Sequence, residues 1–175
     1  STDYVFAGDT GAPLAEDAPC KPLNVYGASK LAGEQAALAL GEQALVLRTS
    51  WVFGAHGGNF VKTMLRLGAE RQQLGIVCDQ TGGPTPAQAI AQTLWKLAEL
   101  PGAHGVFHYS GNPPCSWYDF AQRIFANIRQ PGSANPWAMP ALCDGRALHA
   151  KETWPPTLMR GLTALILLAA TGAEP

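Results

Sequence analysis

Short apolar runs and longer amphipathic segments alternate along this chain in a regular order. The apolar runs are bounded by turn residues and predict buried strands at 44–47, 74–78 and 105–110. Apolar residues at helical spacing predict helices at 24–40, 60–70, 87–100 and 116–128. Because helices and strands alternate, the pattern predicts an α/β fold with a parallel sheet and flanking helices.

Residues that favour helix ends and loops support several of these boundaries. Asn24 is predicted to cap the first helix and Ser116 the last, and Gly41 suits the C-terminal end of the first helix. Ser1 to Gly8 is predicted to be the end of a further strand. The Gly- and Pro-rich segment 79–86 is predicted to be a loop.

Composition narrows the classes of protein that fit. The chain has 175 residues, of which 47% are apolar, enough for the core of one domain. Twelve basic and thirteen acidic residues give a net charge of -1. This balance argues against a nucleic-acid partner and against a basic membrane anchor.

The four cysteines and the apolar runs bear on cellular location. No two cysteines stand in a Cys-x-x-Cys pair, so the sequence predicts no metal site and scattered, unpaired thiols of a reducing compartment. The longest apolar run, 162–170, is about half as long as a membrane-spanning helix. The expected location is therefore the cytoplasm, without membrane association.

The first predicted helix carries Tyr26 and Lys30, four residues apart. Residues at this spacing share one face of a helix. A phenol has a reference pKa near 10, and a neighbouring ammonium favours its ionised form. The pair is therefore a candidate for acid–base chemistry.

Polar side chains end two of the predicted strands. Thr2 follows Ser1 at the end of the first, and Thr49, Ser50 and Trp51 follow the second. Ligands of open α/β sheets bind outside the carboxyl ends of the strands. We therefore expect these side chains and the Tyr26–Lys30 pair to line one crevice.

This arrangement resembles that of the extended short-chain dehydrogenase/reductases. Within them, several stretches of the amino-acid sequence are similar to those of the dTDP-4-dehydrorhamnose reductase family. The similar stretches are STDYVF at 1–6, PLNVYG at 22–27, SKLAGE at 29–34, RTSWVFG at 48–54, NFVKTML at 59–65, DQTGGPT at 79–85 and SWYDFA at 116–121. They follow one another in family order from residue 1 to about residue 128. The resemblance implies a partial Rossmann-like sheet with part of a small substrate domain.

The resemblance also implies a role for each matching residue. Tyr26 would donate the proton to the ketone oxygen, and Lys30 would hold the nicotinamide ribose and tune Tyr26. Thr2 would be a catalytic residue that hydrogen-bonds the reacting sugar, and Asp3 would lie beside it and bind the same sugar. The other implied contacts are Trp51 with the dTDP-sugar, and Thr49 and Ser50 with the nicotinamide. The implied reaction is the reduction of dTDP-4-dehydro-β-L-rhamnose by NADPH or NADH.

Two departures from the family set the predicted domain boundaries. The family begins with a strand, a G-x-x-G-x-x-G turn and a helix that bind the pyrophosphate, and no such motif is present. Residues 1–130 are therefore expected to be the C-terminal portion of a reductase domain, inactive without about one hundred preceding residues. Residues 131–175 are expected to be a divergent tail, and a homodimer of the full-length parent is left open.

Two alternative functions also fit the resemblance. Other nucleotide-sugar epimerases and dehydratases share the Tyr-Lys pair. The regulatory β subunit of methionine adenosyltransferase belongs to the same family and acts by binding. The presence of Thr2, Tyr26 and Lys30 together favours the enzyme.

Overall fold

The computed structural model describes residues 1–128, which form four helices and six short strands. The helices are α1 (Val25–Leu38), α2 (Phe60–Glu70), α3 (Ala87–Glu99) and α4 (Trp117–Ile128). The strands are β1 (Leu45–Arg48), β2 (Val52–Phe53), β3 (Thr81–Gly82), β4 (Thr85–Pro86), β5 (Gly105–His108) and β6 (Cys115–Ser116). These elements belong to two units, residues 1–50 with 89–110 and residues 51–88 with 111–128.

The first unit is built on parallel strands. β1 pairs with β5, with Leu45 opposite Gly105 and Arg48 opposite His108. Thr2 forms a parallel bridge with Thr49, directly after β1. The chain then turns into a 3₁₀ helix at Asp3–Val5, so the predicted strand ends earlier than expected. Three parallel segments therefore end at the same edge.

The second unit has an apolar core between α2, α4 and the loops that join the strands. β2 pairs with β4 in parallel, and β3 pairs with β6 in antiparallel orientation. On α2, Gly68 allows close packing of α4, because a Cβ there would come within 2.5 Å of the Phe125 ring. The buried core residues are Phe53, Val61, Met64, Leu74, Ile76, Phe120, Ala121, Ile124 and Phe125.

The helix boundaries are close to those predicted from the sequence. Asn24 caps α1, its Oδ1 accepting a hydrogen bond of 2.7 Å from the Gly27 amide. Ser116 precedes α4, and its hydroxyl accepts a hydrogen bond of 3.0 Å from the Asp119 amide. The Asp119 carboxylate in turn accepts from the Ser116 amide, so the two residues cap the helix reciprocally.

Three local predictions were wrong. Residues 74–78 form no strand in the described part of the chain. Their apolar character has another cause, since Leu74 and Ile76 pack into the core of the second unit. The predicted loop 79–86 contains β3 and β4. The thiols were expected to be unpaired, but Cys78 is disulfide-bonded, whereas Cys20 and Cys115 are free.

The overall class is nevertheless confirmed as α/β with parallel strand pairs. Within residues 1–128, no helix has the length and apolar character needed to cross a membrane. The same part of the chain contains no cluster of three or more side chains suited to binding a metal ion.

Candidate active site

A cavity of about 110 Å³ opens in the first unit, where its parallel segments end. Residues that directly follow β1 and β5 form much of its lining, as do Asp3 and Phe6 from the 3₁₀ segment. The lining residues are Asp3, Phe6, Arg48, Thr49, Ser50, His108, Tyr109 and Ser110. The position agrees with the predicted binding edge of a parallel sheet.

Thr49 presents an unusual polar atom in the lining of this cavity. Its hydroxyl oxygen is buried and has no hydrogen-bond partner within the described residues. A buried polar group without a partner is costly, and few native groups remain in that state. The Thr49 hydroxyl is therefore a candidate contact for a bound molecule.

Thr2 and Asp3 form a hydrogen-bonded pair beside the cavity. The Thr2 hydroxyl donates to Asp3 Oδ1 at 3.0 Å and accepts from the Tyr4 amide at 3.3 Å. Thr2 is only 5% exposed, so Asp3, not Thr2, faces the cavity. Loss of solvent around the Asp3 carboxyl raises its pKa, and the hydrogen bond from Thr2 opposes this shift only in part.

Tyr26 and Lys30 lie together on α1, as their spacing predicts. Lys30 Nζ is positioned over the Tyr26 ring, 5.7 Å from its centroid. Tyr26 is 52% exposed, and its ring is in edge-to-face contact with the Tyr4 ring, 5.7 Å between centroids. The phenol is therefore accessible to a substrate and has a cation close by.

Gly27 fixes the start of α1 against the 3₁₀ segment. A Cβ at Gly27 would collide with the backbone carbonyl of Tyr4 and come within 3.1 Å of Pro22. Only glycine allows this approach. The helix that carries Tyr26 is thereby held directly against the segment that carries Thr2 and Asp3.

Arg48 is a buried residue of this unit, and its role was not predicted from the sequence. Its guanidinium forms a salt bridge of 2.7 Å with Glu34 on α1, and both side chains are nearly inaccessible to solvent. Burial by itself would raise the pKa of the Glu34 carboxyl, but the hydrogen bonds from Arg48 hold it below its ordinary value. The same hydrogen bonds raise the pKa of Arg48. The sequence signal was the charged Arg48 at the end of an otherwise apolar run.

Tyr109 and Ser110 were also missed as lining residues of the cavity. They follow β5 directly, just as Thr49 and Ser50 follow β1. The same strand-end reasoning could have found them, because 105–110 was predicted as a strand whose end carries polar side chains.

Trp51 lies in the second unit, where its indole stacks on Trp117 with 3.5 Å between ring centroids and 10° between ring planes. Its φ of +48° is rare for a bulky residue and costs conformational energy. A Cβ on Gly82 would come within 2.6 Å of Trp51 Nε1, so Gly82 makes room for the indole. The structure thus holds Trp51 in a defined, strained conformation.

The structure brings together some of the predicted site residues in each unit. In the first unit, Asp3, Thr49 and Ser50 line one cavity, Thr2 is bonded to Asp3, and Tyr26 is paired with Lys30. Trp51 belongs to the other unit and is described by its own contacts. The individual roles of these seven residues stay predictions.

The parallel strand pairs with flanking helices give this α/β chain the Rossmann-like fold of the short-chain dehydrogenase/reductases. A family model described as the RmlD substrate binding domain matches residues 1–147. The chain therefore belongs to this family.

Named relatives agree with this assignment. The chain is 49% identical over 130 residues to a dTDP-4-dehydrorhamnose reductase of Aggregatibacter actinomycetemcomitans, covering 71% of this chain and 44% of the relative. It is 46% identical over 147 residues to the enzyme of that name from Burkholderia thailandensis, covering 79% and 49%. The chain thus spans about half the length of these relatives.

Solved structures are similar over most of the chain. The structure of a dTDP-4-dehydrorhamnose reductase of Bacillus anthracis in complex with NADP matches with a TM-score of 0.78 and 33% identity. That match covers 95% of this chain and 62% of the solved chain. A Clostridium acetobutylicum dTDP-4-dehydrorhamnose reductase gives a TM-score of 0.70 with 35% identity, covering 79% and 54%.

Proposed function

We propose that the full-length protein containing this chain is an NAD(P)H-dependent reductase that converts dTDP-4-dehydro-β-L-rhamnose to dTDP-β-L-rhamnose. The observation that carries the proposal is the exposed Tyr26 phenol with Lys30 Nζ 5.7 Å from its ring centroid. Membership of the family and the names of the relatives support the choice of substrate class.

The residues at the strand ends fit a nicotinamide cofactor. The buried Thr49 hydroxyl lacks a partner and lies in the lining of the cavity beside Ser50. A carboxamide or ribose hydroxyl would satisfy it. In this proposal Thr49 and Ser50 contact the nicotinamide, while Lys30 and Tyr26 hold its ribose. When bound, NADPH or NADH supplies the hydride for the sugar carbonyl.

Tyr26 supplies the proton in the proposed reaction. Its hydroxyl donates a hydrogen bond to the ketone oxygen at C4 and transfers the proton as negative charge develops there. Lys30 stabilises the phenolate that remains, because opposite charges at short range favour the ionised form. The exposure of the Tyr26 ring supports this role, since a buried phenol could not reach a bound sugar.

Asp3 and Thr2 are proposed to orient the sugar. The Asp3 carboxylate accepts hydrogen bonds from hydroxyl groups of the sugar, and the Thr2 hydroxyl holds that carboxylate by donating a hydrogen bond of 3.0 Å to it. Trp51 is proposed to pack against the dTDP-sugar, and its strained φ of +48° supports a functional role. We further expect that the full-length protein acts in the cytoplasm and that a domain boundary lies near residue 130. A homodimer is the assembly to test for.

The test is turnover by the purified full-length protein. Loss of nicotinamide absorbance is followed with dTDP-4-dehydrorhamnose and either NADPH or NADH, and the product is identified by chromatography. We expect stoichiometric formation of dTDP-rhamnose, and the Tyr26→Phe protein serves as the matched control. A folded full-length protein without turnover with either cofactor would contradict the proposal and favour a regulatory subunit that acts by binding.

A further inference from the structure

The guanidinium of Arg48 joins its own strand, β1, to three other segments of the first unit. Nε and Nη2 donate to the Glu34 carboxylate on α1 at 2.9 and 2.7 Å. Nη1 donates to the Glu16 carbonyl at 3.2 Å, and Nη2 lies 3.3 Å from Cys20 Sγ, both in the loop before α1. Nη1 is also 3.3 Å from His108 Nε2, on β5.

Two further contacts complete this arrangement. The guanidinium lies over the Phe6 ring, 5.1 Å from its centroid, just after the segment that carries Thr2 and Asp3. The Glu16 carboxylate accepts a hydrogen bond of 3.1 Å from the His108 amide, so the loop is tied to β5 a second time. Every segment that presents a candidate site residue in this unit is thus bonded to, or adjacent to, one buried cation.

The position of Glu34 on α1 explains how Arg48 bears on the site. Tyr26, Lys30 and Glu34 follow one another at intervals of four residues, so they lie along one side of the helix. With a rise of 1.5 Å per residue, Glu34 lies about 6 Å along the axis from Lys30. Tyr26 and Lys30 are exposed, so the buried Glu34 fixes the rotation of the helix that presents them.

We propose that Arg48 is a positioning residue for the reductase site: through Glu34 it sets the orientation of Tyr26 and Lys30 relative to the Thr49–Ser50 strand end that follows it. This inference rests on the proposed function. Arg48 touches neither the phenol nor the ammonium in the contacts described, so it acts through the helix. A planar guanidinium donates to several acceptors in fixed directions, whereas an ammonium of lysine is a point charge that cannot reproduce this geometry.

The test compares Arg48→Lys and Glu34→Gln with two controls in the full-length protein. Arg66→Met removes the exposed ion pair with Glu70 on α2, whose side chains are 62% and 50% accessible. Ile124→Val destabilises the core of the second unit without changing the first. Far-UV circular dichroism and thermal melting establish that each variant is folded at the assay temperature.

We expect kcat to fall at least tenfold in Arg48→Lys and several-fold in Glu34→Gln, with KM for sugar and cofactor changed less than twofold. Neither control should lower kcat, even when Ile124→Val matches the loss of melting temperature. A merely structural role would reduce activity in proportion to the folded fraction and would affect Ile124→Val equally. Folded Arg48→Lys protein with wild-type kcat would overturn the inference.

Hydrogen exchange gives a second readout that does not depend on turnover. If Arg48 holds α1, amides of Val25–Leu38 should exchange at least tenfold faster in Arg48→Lys, while those of α2 and α4 stay unchanged. Unchanged exchange in α1 would overturn the inference. Absence of turnover by the wild-type protein would instead contradict the proposed function, and the exchange experiment would still decide whether Arg48 positions the helix.

Discussion

The two units of this chain differ in the residues that they bury. The first unit buries a charged pair, Glu34 and Arg48, and the Thr2 hydroxyl next to its strands. The second unit buries an apolar cluster dominated by Phe53, Phe120 and Phe125. The buried ion pair belongs to the unit that contains Tyr26 and Lys30, where Val46 and Leu47 are also buried. The buried polar residues of the other unit, Thr85 and Ser116, are uncharged.

This difference indicates what each interior is suited to do. Dispersion and hydrophobic packing are non-directional, so an apolar core stabilises a unit without specifying each orientation. Hydrogen bonds of a buried ion pair are directional, and they lose much of their stabilising energy when the two side chains are displaced from each other. An interior such as that around Arg48 therefore defines the orientation of one helix more closely, which a proton donor on that helix requires.

The largest expected effect is on stability and concerns Arg48→Met. Removal of the cation leaves Glu34 buried without its partner, so the free energy of unfolding should fall by about 3–5 kcal/mol. Urea denaturation measures the change. Arg66→Met, which removes an exposed pair on α2, should lower it by no more than about 0.5 kcal/mol. Equal losses in the two variants would contradict the contrast between the units.

The next effect is on catalysis and concerns Tyr26→Phe. Loss of a positioned acid should reduce kcat of the full-length protein by at least about 10²-fold. KM for the nucleotide sugar and the melting temperature should change little, because the ring and its contact with Tyr4 remain. Steady-state kinetics check this expectation. A Tyr26→Phe enzyme with near-normal turnover would remove Tyr26 from its proposed role.

Trp51→Ala addresses the second unit. Loss of the indole should mainly raise KM for the nucleotide sugar, roughly tenfold, because packing is shared by ground and transition states. Trp117→Ala removes the stacked ring behind Trp51 and should raise the same KM less. Measurement of KM for both substrates distinguishes the outcomes. If only the KM for the cofactor rose, Trp51 would not be a sugar contact.

Much of this arrangement was predictable because it depends on local sequence. The spacing of Tyr26 and Lys30 placed them together on α1, and the polar residues after β1 were expected at the binding edge. Both inferences need only the period of a helix and the direction of a strand. The helix caps at Asn24 and Ser116 are local for the same reason.

Other features could not be predicted because they depend on contacts between residues far apart in sequence. Arg48 meets Glu34 across 14 residues and His108 across 60, and no local pattern specifies either pairing. Thr2 is buried because it forms a bridge with Thr49, which lies 47 residues further along the chain. This burial could not be predicted before the neighbouring segment was known. The strand predicted at 74–78 was wrong because an apolar run indicates burial without specifying a strand.

The smallest expected effects come from two glycines of α1, and they have opposite signs. Glycine inside a helix is ordinarily less stable than alanine by about 0.5–1 kcal/mol. Gly33 has open space around it, so Gly33→Ala should raise the free energy of unfolding by about that amount. At Gly27, an added Cβ would collide with the backbone carbonyl of Tyr4, so Gly27→Ala should lower it by about 1–3 kcal/mol.

The pair of variants also separates stability from function. Because Gly27 holds the start of α1 against the segment of Thr2 and Asp3, Gly27→Ala should displace Tyr26 and lower kcat several-fold. Gly33→Ala changes the same helix without touching that contact, so its kcat should remain that of the wild type. Urea denaturation and steady-state kinetics on both variants give the four values. Stabilisation by Gly27→Ala with unchanged turnover would show that the close approach of α1 does not constrain the site.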